Sequence, residues 1–207
     1  MVKKIISGQS FGGSESKEDR LPAVQKALGD FLTALGYDWE NDLNMKETPK
    51  RVAKMYINET TTGTYDAPPR ITTFENTSGY KGMVVQKRIK VKSLCSHHLQ
   101  PFIGEAYVAY IPGKEVAGLS KLNRIVEHFS RRPQLQEQLT QQVHDFVSEA
   151  FPDNKGVAVY ISCQHLCCKI RGVNDDSEMD TATLSGAFEN ESSARSEFYS
   201  IINSKKN

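Results

Sequence analysis

The chain has 207 residues, with 26 Lys and Arg against 25 Asp and Glu and a formal net charge of +1. That length accommodates one good-sized domain, or one with an appendage, and the charge balance excludes a broadly basic surface, so nucleic acid is not expected as the main partner. At 38% hydrophobic and 25% charged, the composition is that of an ordinary soluble globular protein. The best apolar run, Ala106 to Ile111, falls far short of the roughly 20 residues needed to cross a bilayer, so no membrane partner is expected. Met1 to Gly8 lacks the apolar core of a secretory signal. The cysteines Cys95, Cys163, Cys167 and Cys168 are too few for a disulfide-stapled secreted domain. A cytoplasmic location is therefore expected, where cysteines near histidines suggest metal or catalysis before a crosslink.

In chain order, residues 1–19 read as a flexible tail, polar and glycine-rich over 7–19. Val24, Leu28, Phe31, Leu32 and Leu35 then recur at helical spacing and close at Gly36, a natural left-handed C-terminal residue. Thr48-Pro49 opens a second helix with a hydroxyl cap and a first-turn proline, carrying Val52, Met55 and Tyr56 on one face. Residues 57–82 are rich in Thr, Gly, Pro and Asn and read as a connection, so an N-terminal helical region spans 20–78 and a second region spans 79–207.

From residue 83 the period becomes two. Val85, Ile89 and Val91 alternate with Arg88, Lys90 and Lys92, an alternation that Lys87 breaks, and a second strand runs from about Glu105 to Ile111. Two amphipathic helices follow, one on Leu122, Ile125, Val126 and Phe129, the other on Leu135, Leu139, Val143, Phe146, Val147 and Ala150. A further strand places Val157, Val159, Ile161 and Cys163 on one face and continues through His165 and Cys167 towards a polar loop, Asn174 to Thr183. The order of helices and hairpins predicts an α+β fold.

Chemistry concentrates at three places. Cys95 and His98 stand three apart at a turn or strand end, and His165 and Cys167 stand two apart on a strand and so project from the same face. Sulfur and imidazole donors suit zinc, whose catalytic sites keep three protein ligands; with four or five candidates, one or two histidines remain for proton transfer. The 72 positions between Cys95 and Cys167 argue against a zinc finger, and Cys163 and Cys168 read as packing residues. Gly118 to Arg124 opens a helix with Lys121 and Arg124, an arrangement that suits an anion, although a lysine and arginine on a helix are more often a solvated face. Glu137, near a helix start, reads as a dipole-favoured acid or as a pocket carboxylate.

Together these segments resemble the GTP cyclohydrolase I family, through Cys95-Ser96-His97-His98, Gly118 to Val126, Arg132 to Thr140, His165 to Val173, Gly186-Ala187-Phe188 and Arg195 to Phe198. The resemblance covers residues 20–203 in order. It implies the tunnelling fold, a ββααββ antiparallel unit forming an oligomeric barrel, preceded here by an N-terminal helical extension, with residues 79–207 as the catalytic domain. It also implies a homodecamer of two stacked pentamers. Cys95, His98 and Cys167 match zinc ligands, and His97, His165 and Ser120 match catalytic positions. Lys121, Arg124, Gln136, Glu137, Arg171 and Arg51 match substrate contacts, with Lys54 beside Arg51. The implied reaction is zinc-dependent hydrolytic ring opening of GTP, with release of formate and rearrangement to 7,8-dihydroneopterin triphosphate, the first step of folate, pterin or deazaguanine synthesis.

Ser96 stands where the family usually carries Glu. Since that position is not among the implied ligands, metal binding should survive its loss, while hydrogen bonding around the metal changes. This departure motivates an alternative, a non-catalytic or altered zinc-containing purine- or pterin-binding homologue. A nitrile-reducing relative with a nucleophilic cysteine fits the anion-binding helix start less well.

Overall fold

A computed structural model of the protein describes residues 16–118 and 120–204, which separate into two compact units divided between Ala67 and Pro68. In the first unit, α1 (Lys17–Ala34) starts at Ser16, whose hydroxyl oxygen accepts from the Asp19 N–H at 3.2 Å. Of the expected tail, residues 1–15 lie outside the described residues, whereas Lys17 to Asp19 already form the first turn of this helix. The capping serine and the two acids after it explain the earlier start. At the other end Gly36 adopts φ +88° and Tyr37 N–H donates to Leu32 O, which closes the helix as its glycine predicts.

The second helix, α2 (Thr48–Met55), has Pro49 in its first turn, but the cap residue is Glu47 and no side chain bonds to the helix end. Thr48 thus lies inside the helix rather than capping it. The chain continues directly into a π-helical turn (Tyr56–Thr60) and α3 (Thr62–Tyr65), joined by the Thr61 hydroxyl donating to Tyr56 O at 2.6 Å. The connection expected over 57–82 is therefore structured at its start.

The second unit begins with β1 (Thr73–Glu75), inside that same expected connection, and then forms a long hairpin of β2 (Val84–Cys95) and β3 (Pro101–Ile111). The β2–β3 register shifts between Gln86 and Ile89, and Arg88 takes φ +58°. This bulge explains why Lys87 breaks the alternation. β4 (Glu115–Ala117) pairs with β1 as a separate ribbon. α4 (Lys121–Ser130), the short β5 (Pro133–Gln134) and α5 (Gln136–Ala150) lead to β6 (Gly156–His165). One turn of helix, α6 (Leu166–Lys169), precedes β7 (Glu178–Leu184), and α7 (Ala187–Asn190) and α8 (Ser192–Asn203) follow.

Five strands form one sheet in the order β5-β2-β3-β6-β7, antiparallel except for the β5–β2 pair. Alternation divides each long strand between two cores. On one face Val91, Val108, Val157, Val159 and Ile161 meet Ile125, Phe129, Leu139 and Val143 of the paired helices. On the other, Ala109 and Ala158 lie beneath Phe188, Phe198 and Ile202. Each large apolar side chain so buried contributes about 1.5–3 kcal/mol by removal from water, so the helix face fixes the strand register around the site. Gly104 allows the close approach of β3 to β6, since a Cβ there would lie 1.9 Å from Ser162 O.

Two expectations fail at the end of β6. The strand does not continue to Cys167: His165 ends β6 and Cys167 sits in α6, so the two do not share a strand face. The polar segment 174–183 is not all loop, because β7 pairs with β6 from Gln164↔Glu178 to Ala158↔Leu184. Its side chains are polar because β7 is an edge strand whose residues alternate between exposed and half-buried.

Candidate active site

Cys95 ends β2 and starts a tight turn. Its N–H donates to Gln100 O and its carbonyl accepts from Leu99 N–H, both at 2.8 Å, and Leu99 takes φ +52°. The turn is braced from below by β5. Gln134 pairs with Cys95, its carbonyl accepts from Ser96 N–H, and its buried amide donates to Ser93 Oγ and Phe129 O. Ser93 in turn donates to Arg132 O. The turn closes with Cys95 buried and His97 and His98 exposed, their rings edge to face at 6.2 Å.

The α6 turn brings Cys167 back to this corner. Ligand atoms of Cys95, His98 and Cys167 all lie within 4.8 Å of one another. The Cys167 thiol is pushed up to about 11, first by burial and then by the facing Cys95 thiol. Two thiols and an imidazole converging in a largely buried corner are a donor set that fits a borderline-soft cation such as zinc. Cys163 is buried in the helix-side core, its thiol pushed up to about 12 by burial, as suits a packing residue. Cys168 is exposed, with its sulfur 4.0 Å from that of Cys167; it does not pack in the core as expected.

His165 ends β6, two residues before Cys167. Phe102, its partner across β3, stacks on the ring with centroids 4.7 Å apart and planes 10° apart. Burial lowers the imidazole's proton affinity, and the Glu137 charge partly offsets that. Glu137 is exposed in the first turn of α5. Gln136, its neighbour, is only 1% exposed, and its amide is already occupied: Oε1 faces His165 Nε2 at 2.9 Å, and Nε2 donates to Ile161 O, Met179 O and Thr181 Oγ1. The side chain expected to touch substrate is thus committed inside the protein. Phe102 and Ser93 carry no signal in the sequence beyond their neighbourhood to the motifs, whereas Gln134 lies inside the segment Arg132 to Thr140 without a role that the sequence shows.

The cationic residues are arranged differently. Ser120 precedes α4 with no side-chain cap bond, Lys121 is half-buried at the helix start, and Arg124 is exposed one turn on. Arg171 is exposed beyond α6, beside Gly172 at φ +65°. Arg51 and Lys54 are exposed on α2 of the first unit. Among the described residues, none of the side chains of Lys121, Arg124, Arg171, Arg51 and Lys54 has a hydrogen-bond or ion-pair partner. Nor does any such bond tie Lys121, Arg124 or Arg171 to the Cys95–His98–Cys167 corner.

Residues 24–203 match the GTP cyclohydrolase I family. The chain is 42% identical over 187 residues to GTP cyclohydrolase 1 of Shewanella loihica, covering 89% of this chain and 86% of that protein. It is 41% identical over 187 residues to the enzyme of the same name from Flavobacterium johnsoniae, with 89% and 82% covered. With GTP cyclohydrolase 1 of Haemophilus ducreyi it shares 36% identity over 204 residues, 98% of this chain and 93% of the other. This chain belongs to the GTP cyclohydrolase I family.

Proposed function

We propose that this family member opens the imidazole ring of GTP by hydrolysis, releases formate and rearranges the remainder to 7,8-dihydroneopterin triphosphate, with Cys95, His98 and Cys167 holding zinc. The observation that carries this reading is the convergence of those three ligand atoms within 4.8 Å at the sheet corner that also holds His165. Zinc bound there would supply Lewis acidity, making water nucleophilic near neutral pH.

The chain's own groups do the rest. Glu137, exposed at the α5 start, accepts hydrogen bonds from the N–H edge of guanine. His165 delivers a proton to the ring nitrogen next to the carbon under attack, so that the C–N bond breaks without a free amide anion. His97, on the exposed turn, is its partner in proton transfer. Formate departs after a second hydrolysis, and Ser120 assists the ribose rearrangement before the ring recloses with loss of water. The net change is GTP plus one water giving formate and the pterin. Lys121, Arg124 and Arg171, joined by Arg51 of a neighbouring copy, hold the triphosphate, which passes through unaltered; holding it orients the base.

Because these cations have no partner among the described residues, the complete site is proposed to form between copies, in a tunnelling-fold barrel built as a homodecamer of two stacked pentamers. The sheet supports this: among the described residues, β2 has only β3 as a neighbour from Val84 to Lys92, and β7 is open on its other side. Open edges of this length call for partners. Ser96 does not favour the non-catalytic alternative, since its side chain is exposed and the turn is held through backbone bonds to Gln134, Gln100 and Leu99. The test is to incubate zinc-loaded protein with GTP and assay formate and, after oxidation, a fluorescent pterin. Both products, lost with a chelator, are expected; neither product from fully loaded protein overturns the reading.

A further inference from the structure

Gln136 is built into a closed hydrogen-bond network that determines which way its amide points. The Thr140 hydroxyl lies 2.9 Å from Gln136 O, which can only accept, so the Thr140 proton is used there. Thr181 Oγ1, 2.7 Å from Thr140 Oγ1, must therefore be the donor of that pair. Its oxygen is left to accept from Gln136 Nε2 at 3.1 Å. Ile161 O at 3.1 Å and Met179 O at 2.8 Å are acceptors without choice. Three acceptors around one end of the amide make that end the NH2 group. The other end, Oε1, carries no hydrogen and faces His165 Nε2 at 2.9 Å, so the hydrogen between them belongs to the imidazole.

We infer that Gln136 is a positioning residue for His165: it holds the ring with the proton on Nε2 and leaves Nδ1 as the nitrogen that exchanges a proton with substrate. Among the described residues, Nδ1 of His165 has no hydrogen-bond partner. Phe102, fully buried, holds the ring face while Gln136 holds its edge. The network spans α5, β6 and β7, so the ring orientation is referenced to three elements rather than to one loop. This takes Gln136 out of direct substrate contact and leaves guanine recognition to Glu137. The inference rests on the proposed role of His165 in proton transfer: Nδ1, bare in this tautomer, first takes up the proton that the attacking water loses and then passes it to the substrate's ring nitrogen.

The test uses the zinc-loaded, full-length protein and the near-isosteric variant Gln136→Met. The expected result is a kcat lower by about 10–100-fold with KM for GTP changed less than about threefold and metal content unchanged, the pattern of a lost orientation rather than a lost contact. A raised KM with kcat intact overturns the inference and returns Gln136 to the substrate. A second readout is independent of turnover. Nitrogen NMR of histidine-labelled protein, with the His165 signal among five histidines identified by His165→Ala, should show the Nε2–H tautomer in the wild type and its loss in Gln136→Met. An Nδ1–H tautomer in the wild type overturns the inference. If the wild type releases no formate, the proposed reaction fails, while the tautomer still decides the role of Gln136. Should Gln136→Met not fold, Thr181→Val removes one acceptor and should lower kcat to a smaller extent at unchanged KM; an unchanged kcat and tautomer there overturn the inference.

Discussion

The corner of Cys95, His98, Cys167 and His165 differs in construction from the cationic segments of Lys121, Arg124 and Arg171. At the corner, three of its four side chains are buried or half-buried, and groups with a defined geometry approach it: Gln134 under the Cys95 turn, Phe102 and Gln136 on His165. In the cationic segments the charged groups have no partner among the described residues, and the two arginines stand in solvent. Chemistry at a metal needs groups fixed to within a fraction of an ångström, which takes packing and hydrogen bonds on every side. Gripping a triphosphate needs charges that are still unspent, which argues against pairing them beforehand.

The largest effect that separates the two regions is expected from Cys167→Ser. Removing one of the three proposed ligands should abolish stoichiometric zinc and lower turnover by about a thousandfold or more, read by elemental analysis and formate release; retained zinc would break the ligand assignment. His165→Ala should keep the metal and lower kcat by about 10²–10⁴-fold. If it instead emptied the metal site, the corner would have to be redrawn with His165 as a ligand. Arg124→Ala belongs to the other class: zinc and melting temperature should stay unchanged while KM for GTP rises by about 10–100-fold, the loss of one charged hydrogen-bonded phosphate contact. An effect confined to kcat would mean that Arg124 is no part of the cradle.

Gln134→Ala tests the bracing itself. It leaves the Ser93 hydroxyl and Phe129 carbonyl short of a partner inside the protein and should lower stability by about 1–3 kcal/mol, with weaker zinc retention; thermal unfolding with and without chelator reads both. The smallest effect is expected at Lys90 and Glu105, an exposed pair at 2.6 Å. The Lys90 hydrogen bond, more than that from Tyr107, holds the Glu105 carboxyl below its ordinary range. Such a group stabilises the fold above its unfolded-state value, and the contribution disappears as pH falls through the lowered one. Lys90→Met should therefore cost about 0.2–1 kcal/mol at neutral pH and nothing in strong acid. A larger loss would show that paired surface charge matters here as much as the packed corner.

Parts of this arrangement are legible in the amino-acid pattern. The periodicity of Leu122 to Phe129 and of Leu135 to Ala150 marks two helices because one face of each packs on the sheet. Val157, Val159, Ile161 and Cys163 mark the buried face of β6 for the same reason. The break at Lys87 shows as an anomaly in the alternation, and the bulge supplies its cause. β7 is silent because an edge strand with polar side chains shows no apolar alternation. The turn after His165 is silent because four residues are too few to display a helical period.

The amino-acid sequence by itself determined which residue types were available and the family to which they belong. Cys-x-x-His, a later Cys, and a cation-bearing helix start are local patterns, and local patterns survive in one dimension. Only the tertiary structure decided how they combine. Cys95 and Cys167, 72 positions apart, converge because β6 lies beside β3 and β3 beside β2, with α6 turning the chain back at the sheet's end. Gln136 became a partner of His165 rather than a free amide because α5 packs its first turn against β6 and β7, where carbonyl groups surround one end of it. Burial and hydrogen-bond satisfaction are sums over neighbours from distant parts of the chain, and no window of sequence contains those neighbours.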